Sequence, residues 1–141
     1  MVFELITGDF LFNPRPGDNH KKNDDHLALF MEMLGPMPKK MAMQGNMFEH
    51  YFKRNPTSGK YYFKRIHDLV PVNLEQLLIT RYFFKPNEAH MLADFLMKIL
   101  QWYPADRPSA QEMLKHPWLT MADNYNYKMS DMEQKLYELK D

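Results

Sequence analysis

The feature that most constrains this chain is the run from Asn87 to Trp102. Leu92, Phe95, Leu96 and Ile99 recur at the spacing of one helix face. Met91, Leu100 and Trp102 widen that stripe beyond what a single neighbour can cover. Such a helix needs partners on several sides, so the chain must fold around it. Asn87 reads as its N-cap, and Pro104 ends it.

Other helices follow from their punctuation. Residues 1–8 read as the last turns of a helix closing at Gly8, with no capping side chain in front. Two turns nucleate poorly alone, so the expectation is that this helix continued upstream and that Met1 is an internal methionine. Asn13-Pro14-Arg15-Pro16-Gly17-Asp18 is loop chemistry. Asp24 or Asp25 then caps a helix carrying Leu27, Phe30, Met31 and Leu34, stopped by Gly35-Pro36. Asp25 and Glu32 are seven apart and share a face of it.

Beyond Pro36 the pattern is less regular. Short helices are expected over 39–44 and 47–52, a turn over 55–59 and an extended piece over 60–63. Asn73 with Gln76 resembles a capping box opening a helix through Leu74, Leu77, Leu78 and Tyr82. Ser109 with Glu112 is a second box, for a short helix that stops at His116-Pro117. Met132, Leu136 and Leu139 give the polar tail some helical spacing.

Charge narrows the function classes. Lys+Arg and Asp+Glu both number 18, so the chain is formally neutral and lacks the basic excess of a general nucleic-acid binder. The balance is uneven: residues 1–35 carry a net −3, 36–86 a net +6 and 87–141 a net −3. An acidic start suits a basic partner and a basic middle suits an acidic one, against the plainer reading of a mixed solvated surface. Cysteine is absent, which excludes disulfides and thiolate chemistry. No apolar run approaches the ~20 residues of a membrane helix, and no signal peptide opens the chain. The setting reads as intracellular. The 13 Met residues fill a core or make an adaptable surface.

Catalytic and metal motifs are missing. None of the six histidines makes a zinc spacing. His20, Asp24, Asp25 and His26 form a metal-like cluster that capping and the helix dipole already explain. Asp9-Phe10-Leu11 lacks the glycine of a kinase D-F-G. There is no G-x-S-x-G and no phosphate-binding G-x-x-x-x-G-K-[ST].

One stretch carries a resemblance. Trp102-Tyr103-Pro104-Ala105-Asp106-Arg107-Pro108-Ser109-Ala110 through Leu114-Lys115-His116-Pro117-Trp118-Leu119 resembles the end of a eukaryotic protein-kinase domain. Phe3 to Phe12 resembles the end of the kinase central helix and the turn after it. Asp24 to Pro36 is similar to the next helix of the SR-protein kinases, in the CMGC group. Tyr125-Asn126-Tyr127-Lys128-Met129-Ser130 resembles the segment that follows their domain. The likeness covers residues 1 to about 133.

The resemblance implies a mainly α fold, the distal part of a kinase C-terminal lobe and an incomplete domain. It assigns 1–119 to a partial kinase domain, with a CMGC-type insert over 36–86, and 120–141 to a tail. It also implies that the Gly-rich loop, the Lys–Glu pair, H-R-D, D-F-G and A-P-E lie upstream, since none is here. The chain alone is then expected to be inactive, without a catalytic residue, a metal site or a cofactor, although the full-length family uses ATP and Mg2+.

In that family a groove docks arginine-rich substrate segments. Its acidic positions match Asp9, Asp25 and Glu32, and a basic position beside them matches Arg81. Carboxylates can hold guanidinium groups through charge-assisted bonds, while capping plus a solvated face remains the plainer reading. Arg107 matches an arginine that pairs with the Glu of A-P-E, so it is expected to find water or rearrange. His116 and Trp118 read as packing residues. The apolar sides of 1–6 and 91–102 are expected to stand bare and to favour self-association.

The implied function is a segment of a serine/threonine kinase that phosphorylates Arg/Ser-rich splicing proteins, this piece supplying the docking groove. The alternatives are a stand-alone, non-catalytic module for arginine-rich peptides and a nonfunctional truncated remnant. The implied partners are Arg/Ser-rich proteins and the remainder of the kinase domain, with no nucleic acid and no membrane. The implied location is cytoplasm and nucleus.

Overall fold

Two amphipathic segments organise the core of the computed structural model, which describes residues 1–124. Leu74–Tyr82 (α5) and Pro86–Ile99 (α6) pack along each other after a short connection. Leu74 and Leu78 of α5, four apart, meet Ala89, Leu92, Ala93 and Leu96 of α6, at the i, i+3, i+4, i+7 spacing. Leu78, Ala89 and Leu92 are completely buried. Each leucine so buried contributes about 1.5–3 kcal/mol of transfer free energy.

The buried stripe of α6 keeps Leu92, Phe95 and Leu96 of the expected face and reaches one turn further toward the N-terminus. Phe95 joins the core, but Ile99 stays 36% exposed while small Ala89 is sealed. The helix also starts earlier than the Asn87 reading. Lys85 is the extended N-cap and Pro86 occupies the first turn, where its missing N–H costs nothing.

The first helix, Val2–Thr7 (α1), ends at Gly8 with φ +79°, and the Gly8 N–H donates to the Glu4 carbonyl. A side chain at Gly8 would be strained in this left-handed conformation. Phe3 of α1 is buried in the core, edge-on to Tyr82 at 5.4 Å.

The next helix, Lys22–Leu34 (α2), begins earlier than either Asp24 or Asp25. Asp24 is its third residue, and its carboxylate accepts from the Lys21 N–H at 2.8 Å. The reach-back half of a capping box is thus made by an aspartate inside the helix.

The segment after Pro36 holds Lys39–Gln44 (α3), Phe48–Tyr51 (α4) and a hairpin of Phe52–Arg54 (β1) and Tyr61–Phe63 (β2). The antiparallel register pairs Phe52 with Phe63 and Arg54 with Tyr61. Asn55 Oδ1 accepts from the N–H groups of Thr57 and Ser58, which shapes the turn between the strands.

Ala110–Met113 (α7) opens on the full Ser109–Glu112 box, with Ser109 N–H to Glu112 at 2.7 Å and Glu112 N–H to Ser109 Oγ at 3.3 Å. The Ser109 hydroxyl, which donates to Glu112 Oε2 at 2.7 Å, and then the Ser109 N–H hold the Glu112 carboxyl below its ordinary range. Pro117–Asn124 (α8) then packs on α6. The expectations for Tyr125–Ser130, Met132, Leu136 and Leu139 lie outside the described residues.

Of the stretches expected to stand bare, Phe3, Leu92, Phe95 and Leu96 are covered from within the chain, whereas Met1, Leu5, Ile6 and Ile99 are exposed.

Candidate functional site

Asp9, Asp25, Glu32 and Arg81 each meet a different part of the fold. Asp9 follows α1, where Thr7 Oγ1 accepts its N–H at 3.2 Å and donates to the Phe3 carbonyl at 2.8 Å. That local lock aims Asp9 at the end of α5. Its Oδ2 lies 3.3 Å from an Arg81 guanidinium nitrogen and accepts from the Tyr82 hydroxyl at 2.9 Å. Partial burial, reinforced by the Asp9 carboxylate, raises the Tyr82 pKa above its ordinary value. The Asp9–Arg81 pair is solvated, with side chains 51% and 64% exposed. It is therefore individually weak, ~0.2–1 kcal/mol.

Asp25 and Glu32 do lie on α2, two turns apart, and each ties down a loop. Asp25 Oδ2 accepts from the Arg15 N–H at 2.6 Å, and its Oδ1 stands 3.9 Å from His20 Nε2. Glu32 Oε1 accepts from the Val70 N–H at 3.1 Å, while the Glu32 carbonyl accepts from the Val72 N–H at 2.9 Å. A carboxylate has about four acceptor sites, so one backbone donor leaves each able to take a cation.

Asp24 is the buried acid of this helix, which no spacing in the sequence marks. It is 1% exposed, and Arg65 reaches its Oδ1 at 2.5 Å. Arg65 also donates to the His50 carbonyl at 3.3 Å. Burial opposes the Asp24 charge, but the Lys21 N–H and the Arg65 guanidinium outweigh it and hold the carboxyl below its ordinary 3.8. This pair straps the segment after α2 back onto α2. His20 stands near Asp25, while Asp24 turns away from both to Arg65. Among the described residues no three His, Asp or Glu side chains are placed to hold a metal ion.

His116 and Trp118 pack against Phe95 of α6. Phe95 contacts both rings, at 5.3 Å and 4.7 Å between centroids. The His116 Nδ1 accepts from the Trp118 N–H at 3.1 Å, so the proton of the neutral ring sits on Nε2, 2.9 Å from Asp94. Lys98 pairs with the same Asp94 oxygen, and these two partners lower the Asp94 pKa. Arg107 is not a buried orphan: it is exposed, and its Nε donates to the Gln101 carbonyl at 3.0 Å.

Three relatives show what this arrangement is similar to. The chain is 42% identical over 120 residues to the serine/threonine-protein kinase SRPK of Physarum polycephalum, across 84% of this chain and 27% of that protein. It is 36% identical over 129 residues to protein kinase dsk1 of Schizosaccharomyces pombe, across 92% of this chain and 23% of that protein. With human SRSF protein kinase 3 it shares 34% over 119 residues, across 84% of this chain and 20% of that protein. The chain thus spans about a quarter or less of the length of these curated relatives. No family model matches it.

Proposed function

We propose that this chain, an SRPK-like kinase sequence over most of its length, serves as the substrate-docking part of a serine/threonine kinase. The substrate class is Arg/Ser-rich protein, and ATP would supply the phosphoryl group in a polypeptide that carries the kinase motifs. The observation that carries the reading is the Asp9–Arg81 pair, in which one of the three carboxylates already holds a guanidinium in water. Asp25 and Glu32 offer the same chemistry one helix away. Docking would sum several such contacts, since one alone is too weak.

The test is binding of a labelled Arg/Ser peptide to the purified chain, read by anisotropy. Asp25→Asn with Glu32→Gln keeps the acceptors for the Arg15 and Val70 N–H groups and removes both charges. The dissociation constant is expected to rise about tenfold, with affinity falling as salt rises. An unchanged constant would remove Asp25 and Glu32 from the docking role. The same preparation, given ATP and Mg2+, is expected to transfer no phosphate to the peptide.

A further inference from the structure

The basic charge of the middle of the chain is concentrated in one place. Residues 36–67 hold seven bases and a single acid, Glu49. Arg65 is spent on Asp24. The other six, Lys39, Lys40, Lys53, Arg54, Lys60 and Lys64, are all exposed, and none makes an ion pair among the described residues. The bonds that two of them make leave their charge uncompensated, because the acceptors are backbone carbonyls: Lys64 Nζ to Glu49 and Arg54 Nε to Gly59.

These cations surround the hairpin. A concavity of about 700 Å³ is lined by Lys53, Arg54 and Lys64 against the one acid Glu49, together with Phe48, Phe52 and Tyr61. An adjoining one of about 410 Å³ is bordered by Lys39 and Lys60. Unpaired like charges around one small element repel each other. An anionic partner would relieve that repulsion.

We infer that the α3–α4–hairpin segment is a docking surface for an acidic polypeptide segment. The aromatic rings decide between acidic protein and single-stranded nucleic acid. Base binding needs free ring faces for stacking. Here Phe48 stacks on Phe52 at 5.5 Å and meets Tyr61 edge-on at 5.0 Å, while Lys39 Nζ lies over the Tyr61 ring at 5.4 Å. Those three rings are engaged with each other and with a cation, and Tyr62, 39% exposed, tilts against His67 at 6.2 Å, which leaves lysine and arginine heads as the main contacts on offer. Aspartate and glutamate side chains match those heads. This surface is separate from Asp9, Asp25 and Glu32 and takes the opposite charge.

The test uses the whole chain and a fluorescent peptide of about 16 residues, alternating Asp or Glu with apolar residues, at about 50 mM salt. Controls are the same peptide with Asn and Gln in place of the acids, and oligouridine of equal length. The acidic peptide is expected to bind and the amide control is not. Lys53→Gln with Lys64→Gln is expected to weaken binding about tenfold. Lys40→Gln with Lys60→Gln, which touches no hydrogen-bonded side chain, is expected to weaken it in the same direction. A thermal melt of each variant confirms folding. The Asp25→Asn and Glu32→Gln variant is expected to bind the acidic peptide unchanged, so this surface and the arginine-docking reading fail independently. Absence of binding, binding indifferent to both lysine variants, or equal or tighter binding of oligouridine would each overturn the assignment.

Discussion

Arg65→Met is expected to destabilise the protein by about 3 kcal/mol at neutral pH, the lower end for breaking a buried pair, because Arg65 itself keeps some solvent contact. The variant leaves the Asp24 carboxylate 1% exposed with the Lys21 N–H as its remaining hydrogen bond. The midpoint of thermal unfolding should fall by roughly 10 °C in a chain of this size. The pH dependence gives the signature. In the native protein the Asp24 carboxyl titrates below its ordinary 3.8, so its stabilising contribution is present above that value and is lost as pH falls through the folded pKa. Native and variant melting curves should therefore diverge at pH 7 and converge in strong acid. Adding Asp24→Asn to Arg65→Met removes the stranded charge, keeps an acceptor for the Lys21 N–H and should recover much of the loss. A pH-independent gap between the two proteins would show that Arg65 acts by packing alone.

Leu92→Ala is the second large effect. Leu92 is fully buried on α6 within the cluster that includes Leu74, Leu78 and Phe95. Truncation removes buried methyl groups and leaves a cavity, at a cost of about 3–4 kcal/mol. Ile99→Ala, at a residue 36% exposed on the same helix, should cost under about 1.5 kcal/mol. Urea midpoints of the two variants give the comparison. Equal losses would mean that α6 does not bury the face described.

Local chemistry was the legible part of this fold. The Gly8 and Ser109–Glu112 signals sit where they operate, because each closes hydrogen bonds over three or four residues. Asn73 also caps as expected, its Oδ1 taking the Gln76 N–H at 3.0 Å. Asn87 and Asp24 misled for one reason. A side chain that caps and one that sits in the first turn are the same residue types, and only the backbone around Lys85 and Lys21 separates them. The candidate site was legible as residues and not as geometry. That Asp25 and Glu32 share a face follows from a seven-residue spacing. That Asp9 meets Arg81, or that Asp24 rather than Asp25 is buried against Arg65, spans 72 and 41 residues of separation. No periodicity reports contacts made across such distances.

The strap between Asp24 and Arg65 also partitions the molecule. Between these two residues lie α3, α4 and the hairpin, where Ala42 and Phe63 are the buried apolar residues and two concavities stand beside them. The α5–α6 core owes nothing directly to that segment. The 36–63 stretch is in effect a closed loop tied to α2 by an ionic clasp at its base, with Leu27 and Phe30 of α2 facing Met41 and Phe48 across a shared concavity. Closing a loop of this length carries an entropy cost that grows only slowly with its length, so one strong contact can hold it. Weakening of the clasp in acid loosens the hold of that loop on α2, so its amides are expected to exchange sooner there than those of α5 and α6.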